Sequence, residues 1–155
     1  MASRSSSKCS PGDLIEIFRL GYQHWALYVG DGYVVHLAPP CEYPGAGISS
    51  VGSVLCNMAE VKRELLTDVV GDCAYRVNNK LDKELNPLPV KEILRSAKRM
   101  IGKKVEYDIT RKNCEHFVTK LRYGEPRCQQ IQNAFMMLTG ALGLVVTLAY
   151  SAMRN

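Results

Sequence analysis

This chain has few of the groups on which small proteins build chemistry. Its 155 residues include one Trp, three Phe and three His. No two cysteines stand in a C-x-x-C pair, which argues against a structural zinc site. No long basic run occurs, and no aromatics interleave with basic residues, so nucleic acid is not the expected partner. No apolar export signal opens the chain, because residues 1–10 are polar and Ser-rich. The six cysteines (Cys9, Cys41, Cys56, Cys73, Cys114, Cys128) therefore read as reduced thiols facing the cytosol, not as a disulfide framework.

The sharpest absence is of charge. Between Arg127 and Arg154 there is none. Residues 134–153 are dominated by apolar and small side chains, and a helix of about 20 residues crosses a ~30 Å hydrocarbon core. The expectation is a single-pass C-terminal anchor over 126–155. A buried helix of the domain is the plainer alternative. Gly140 and Gly143 do not form a GxxxG pair, so dimerisation through the tail is not indicated. The first 125 residues hold 18 basic and 15 acidic side chains, a mild +3 that suits an anionic membrane surface. Lys103, Lys104, Arg111 and Lys112 are candidates to face lipid headgroups, or are simply a solvated basic face.

What remains is one domain, expected over 11–125 behind a disordered leader of residues 1–10. Leu14 to Phe18 reads as a strand. His24 to Val29 and Tyr33 to Ala38 flank Gly30-Asp31-Gly32 and read as a β-hairpin. A two-residue Asp31-Gly32 loop pairs His36 with Leu27 and sets the two histidines on opposite faces. A three-residue loop with a bulge pairs His36 with Ala26 and makes His24 and His36 diagonal neighbours. Residues 39–57, rich in Pro, Gly and Ser, read as a long loop. Strands are expected at Ala59 to Leu66, Tyr75 to Asn78 and Val105 to Ile109, with a helix over Glu60 to Leu66 as the alternative to the first. A helix is expected from Pro87 to Ile101, with Pro89 in its first turn.

The densest signal lies at 113–124. Asn113 is a good N-cap, and Gly124 followed by Pro126 is a stop. Cys114, Phe117, Val118 and Leu121 share one stripe. A thiol in the first turn sits at the positive end of the helix dipole, which favours thiolate. An ordinary buried cysteine would leave the same local pattern. The two histidines upstream turn the reading toward thiol acyl transfer. Cys114 is then the nucleophile, His24 the base, His36 the orienting group, and a backbone N–H the oxyanion donor. Asn113, Gln23 and Tyr28 are candidates for oxyanion binding or orientation. His116 lies about 200° round the helix from Cys114 and reads as structural. Zinc held by His24, His36 and Cys114 is the rival reading, but no metal pattern supports it, and neither metal nor cofactor is expected.

At these residues the chain resembles a known family. Leu20-Gly21-Tyr22-Gln23-His24-Trp25-Ala26-Leu27-Tyr28, Tyr33-Val34-Val35-His36-Leu37-Ala38-Pro39 and Asn113-Cys114-Glu115-His116-Phe117-Val118 are similar to the phospholipase A/acyltransferase (H-Ras-like suppressor) family, related to lecithin retinol acyltransferase. The resemblance implies an α+β fold, the circularly permuted papain-like arrangement of NlpC/P60 thiol hydrolases, with helices packed on an antiparallel sheet. It implies Cys114, His24 and His36 as the triad. It implies calcium-independent cleavage of membrane glycerophospholipids at sn-1 or sn-2 through an acyl-thioester. The acyl group then passes to water, to the amine of phosphatidylethanolamine or to a lysophospholipid. Some members carry Asn where His36 stands. The retinol-acylating branch carries an extra insert for which this chain is short, which lowers the case for retinol. A non-catalytic membrane adaptor on the same fold is the alternative, and the intact Cys114, His24 and His36 argue against it.

Overall fold

The computed structural model describes residues 8–38, 58–107 and 113–127. The long loop of 39–57, part of the expected strand ending at Ile109, and the apolar tail lie outside the described residues.

Six strands form one antiparallel sheet in the order β5-β1-β2-β3-β4-β6. They are β1 (Leu14–Arg19), β2 (Tyr22–Gly30), β3 (Tyr33–Ala38), β4 (Met58–Leu65), β5 (Ala74–Val77) and β6 (Lys104–Glu106). Among the described residues three α-helices accompany them: α1 (Leu66–Val70), α2 (Val90–Met100) and α3 (Cys114–Tyr123). A 3-10 turn covers Lys80–Lys83. The fold is thus α+β, as the family resemblance implies. Among the described residues no helix is long and apolar enough to cross a membrane.

The β2–β3 hairpin settles the register question in a way that neither sequence alternative contained. The loop is the two-residue Asp31-Gly32, with φ of 55° and 82°. That left-handed pair is the geometry of a hairpin turn whose twist matches the strands, and glycine adopts it without strain. A bulge between Tyr28 and Gly30 then adds one residue to β2. The net pairing sets Ala26 opposite His36, the partner expected of the longer loop. The bulge therefore decides the side from which His36 projects, because a one-residue slip inverts every side chain of a strand.

The central strands are buried on both faces. One face carries Leu14, Trp25, Leu27, Val35 and Leu37, packed with Ile93 and Ala97 of α2 and with Cys114, Val118 and Leu121 of α3. The other carries Ile15, Ile17, Ala26 and Val34 under Leu66, Val69 and Val70 of α1. Ile17 is fully buried there, and a side chain of that size contributes roughly 1.5–3 kcal/mol. The short helix α1 shows little periodicity and was not among the sequence expectations. Cys9 packs against this second cluster, two residues ahead of Pro11. Helix α2 begins later than expected: Pro89 is its N-cap, with an extended ψ of 137°.

The far end of α3 is tied down. Arg122 donates from Nη1 to the Gly12 carbonyl at 2.8 Å and from Nη2 to Asp82 Oδ2 at 2.8 Å. The Tyr123 hydroxyl donates to Asp82 Oδ1 at 2.6 Å. Gly124 closes the helix with φ of 80° and donates its N–H to the Lys120 carbonyl. These bonds hold α3 from its C-terminus, and so fix where its N-terminus points.

Candidate active site

Helix α3 starts at Cys114 because Asn113 caps it. The Asn113 Oδ1 accepts the His116 N–H at 3.0 Å. The Asn113 N–H in turn donates to His116 Nδ1 at 3.4 Å, so the cap is reciprocal. His116 thus does for this helix what Glu or Gln does in the usual capping box. Burial pulls its pKa below the ordinary histidine range, against the opposing pull of Glu115. A neutral ring is what an accepting Nδ1 requires. The structural role read for His116 is therefore a capping one.

Cys114 is buried, at the positive end of the helix. Its Sγ lies 3.9 Å from the Gln23 carbonyl, in donor geometry toward it. Gln23 immediately precedes His24 near the start of β2. The β2–β3 pairing runs only as far toward that end as Ala26–His36, and the thiol comes in beyond it.

His24 and His36 project from the face that also carries Ile17 and Ala26, their cross-strand partners. Helix α3 packs on the opposite face. The thiol helix reaches the histidine-bearing strand β2 at Gln23, the residue before His24. His24 is 1% exposed and His36 5%. His24 Nε2 is 2.9 Å from His36 Nδ1, and the rings stand edge to face at 5.1 Å between centroids. Burial, then His36, then Arg19 hold the His24 pKa well below the ordinary range, so the ring is neutral at pH 7. A buried neutral imidazole is a competent proton acceptor. The two facing nitrogens are turned on each other at hydrogen-bond spacing, not on a common ion. Among the described residues no group of three or more His, Cys, Asp or Glu is arranged to hold a metal.

Of the residues singled out in the sequence, Cys114, Asn113 and Gln23 are brought together, and His24 follows Gln23 in the chain. Gln23 meets the thiol with its backbone carbonyl. Tyr28 is not brought there. Its hydroxyl accepts the Gly32 N–H at 2.9 Å and braces the hairpin turn at the other end of β2. Four residues of strand, about 13 Å, separate it from His24. Lys103 and Lys104 are exposed. Arg111 and Lys112 lie outside the described residues.

One residue of this constellation was not read from the sequence. Glu64 of β4 places Oε2 2.6 Å from His36 Nε2. It stands across from Val34, diagonal to His36 on the same face. Alternation along β4 could have found it, but only with the β3–β4 register known. That register depends on how the 39–57 segment returns the chain.

A sheet carrying paired buried histidines, with a cysteine helix at its end, defines a class before any name does. The sequence model of the lecithin retinol acyltransferase family matches residues 7–127. The chain belongs to that family, within its phospholipase A and acyltransferase branch. It is 66% identical over 138 residues to human phospholipase A and acyltransferase 4, covering 88% of this chain and 84% of that one. It is 54% identical over 141 residues to mouse phospholipase A and acyltransferase 3, covering 87% of each. Human phospholipase A and acyltransferase 2 is 54% identical over 134 residues, covering 86% of this chain and 83% of that one.

Proposed function

We propose that this protein is a phospholipase A1/A2 and phospholipid acyltransferase that works through a Cys114 thioester. One observation carries the reading. A buried thiol at a capped helix start lies against the backbone of Gln23, next to a buried, neutral His24 that is hydrogen-bonded to a second imidazole. The names of the relatives supply the substrate class, a glycerophospholipid.

His24 Nδ1 takes the thiol proton, and Sγ attacks the ester carbonyl of the donor lipid. The oxyanion is held by backbone N–H at the start of α3. His24 returns the proton to the leaving lysophospholipid oxygen, and the acyl group stays on sulfur. The acceptor is water, the nitrogen of phosphatidylethanolamine, or a lysophospholipid hydroxyl. In each case His24 takes the acceptor's proton, and the thiol is regained when the tetrahedral adduct collapses. His36 orients His24 throughout. The catalytic domain faces the cytosol, tethered to its bilayer substrate by a single-pass anchor after residue 126. The domain has the circularly permuted topology of papain-like thiol hydrolases.

Cys114→Ser tests the shared intermediate. It should abolish hydrolysis and transfer together, while Cys41→Ser and Cys73→Ser keep most of both. Radiolabelled phosphatidylcholine, with and without phosphatidylethanolamine, reads the two products side by side. Transfer surviving the loss of hydrolysis would sink the common acyl-enzyme.

A further inference from the structure

We infer that Glu64 is a positioning residue that fixes the direction of the proton relay through both histidines, and this rests on the reading of His24 as the base. The contact is short and specific: Glu64 Oε2 to His36 Nε2 at 2.6 Å, with His36 buried and Glu64 43% exposed. An ionised carboxylate only accepts hydrogen bonds. His36 must then carry its hydrogen on Nε2. In the neutral ring that leaves Nδ1 as a lone-pair acceptor. His24 Nε2, 2.9 Å away, must therefore be the donor in the His24–His36 bond. With Nε2 protonated, the neutral His24 ring has its lone pair on Nδ1, the nitrogen turned away from His36. That is the lone pair a thiol proton needs.

One carboxylate thus sets two tautomers in series. Without it, His36 is free to hold its hydrogen on Nδ1 and donate to His24. His24 would then carry its hydrogen on Nδ1 and be no base toward a thiol. The neighbouring charged groups do not replace it, because Lys62, directly across from His36, and Arg19, beside His24, carry only donors. When His24 takes the thiol proton, the new positive charge is bonded through His36 to the Glu64 carboxylate.

The chain has only three histidines, so ring-nitrogen NMR of the full-length protein labelled with 15N-histidine tests this directly. His116, whose Nδ1 accepts from Asn113, is an internal control. In the parent protein both His24 and His36 should show the Nε2–H tautomer. In Glu64→Ala the His36 signals should move toward Nδ1–H and His24 should follow, with His116 unchanged. Glu64→Gln keeps an accepting oxygen without charge and should hold the tautomers better than alanine. The kcat of Glu64→Ala should fall at least about tenfold, short of the ~10²–10⁴-fold attached to the base itself, with KM little changed. Unchanged ring-nitrogen signals in Glu64→Ala, or a parent His36 already protonated on Nδ1, overturn the assignment. Should Glu64→Ala fail to fold, the same reading on the parent and Glu64→Gln decides it. Loss of function in Glu64→Ala with unmoved tautomers also overturns it, leaving a merely structural role. If His24→Ala remained fully active, the acyl-transfer reading would fail instead, and the tautomer measurement would still judge Glu64.

Discussion

His24 and His36 have nearly equal burial, and the proposed function gives them unequal tasks. His24 adjoins the residue that the thiol touches, and His36 is bonded to His24 and to Glu64. Loss of a base removes the proton step itself, worth ~10²–10⁴-fold, whereas an amide can still hold one orienting hydrogen bond. His24→Ala should therefore cost at least about tenfold more kcat than His36→Asn. Initial rates of both variants, compared at matched thermal stability, check this, and equal losses would count against the assigned roles. The histidines, Asn113 and Cys114 were legible in the sequence because short motifs carry them. Glu64 was not, since its partner lies 28 residues away on another strand, and the register between the two leaves no mark in the sequence. Tyr28 was misplaced for a related reason. Lying in the same motif as His24 does not put a residue at the same end of a strand.

At the scale of elements, two local devices aim the site. The bulge before Gly30 turns His36 to the side of His24, and sequence alone offered the pairing only through a different loop. The reciprocal cap at Asn113 fixes the first turn of α3, where the thiol and its N–H donors lie. Half of that cap was legible, the Asn; the histidine half was not, because His is not the usual third-position partner. Asn113→Ala should lower stability by ~0.5–2 kcal/mol. It should also lower kcat, because the first turn carries the thiol. Chemical denaturation and turnover on the same samples read both. A variant with parent-like turnover would show that the cap serves stability alone. Helix α1 and the 3-10 turn were hidden by length, as five and four residues are too short to show a period.

For the whole molecule, the proposed function divides the work between the described domain and the apolar tail. On that reading the domain positions chemistry, and the tail raises the effective concentration of bilayer substrate. Deleting residues 128–155 should give a protein that no longer pellets with membranes after an alkaline carbonate wash. It should still cleave phospholipid in detergent micelles and work poorly on intact bilayers. A deletion protein that stayed in the washed pellet would refute the anchor. One that was soluble but inactive on micelles would make the tail part of the fold or site. The order of strands was beyond the sequence, because β1 pairs with both its sequence neighbour β2 and the distant β5. Such long-range pairings leave no periodic mark.

The central claim is a covalent acyl group on one sulfur. Full-length protein mixed briefly with a phosphatidylcholine of defined chains, quenched in acid and digested, should yield the Cys114 peptide heavier by one acyl group. The adduct should be removed by neutral hydroxylamine and be absent from His24→Ala. Steady turnover with no adduct on Cys114, or with the acyl group on another cysteine, would contradict the account.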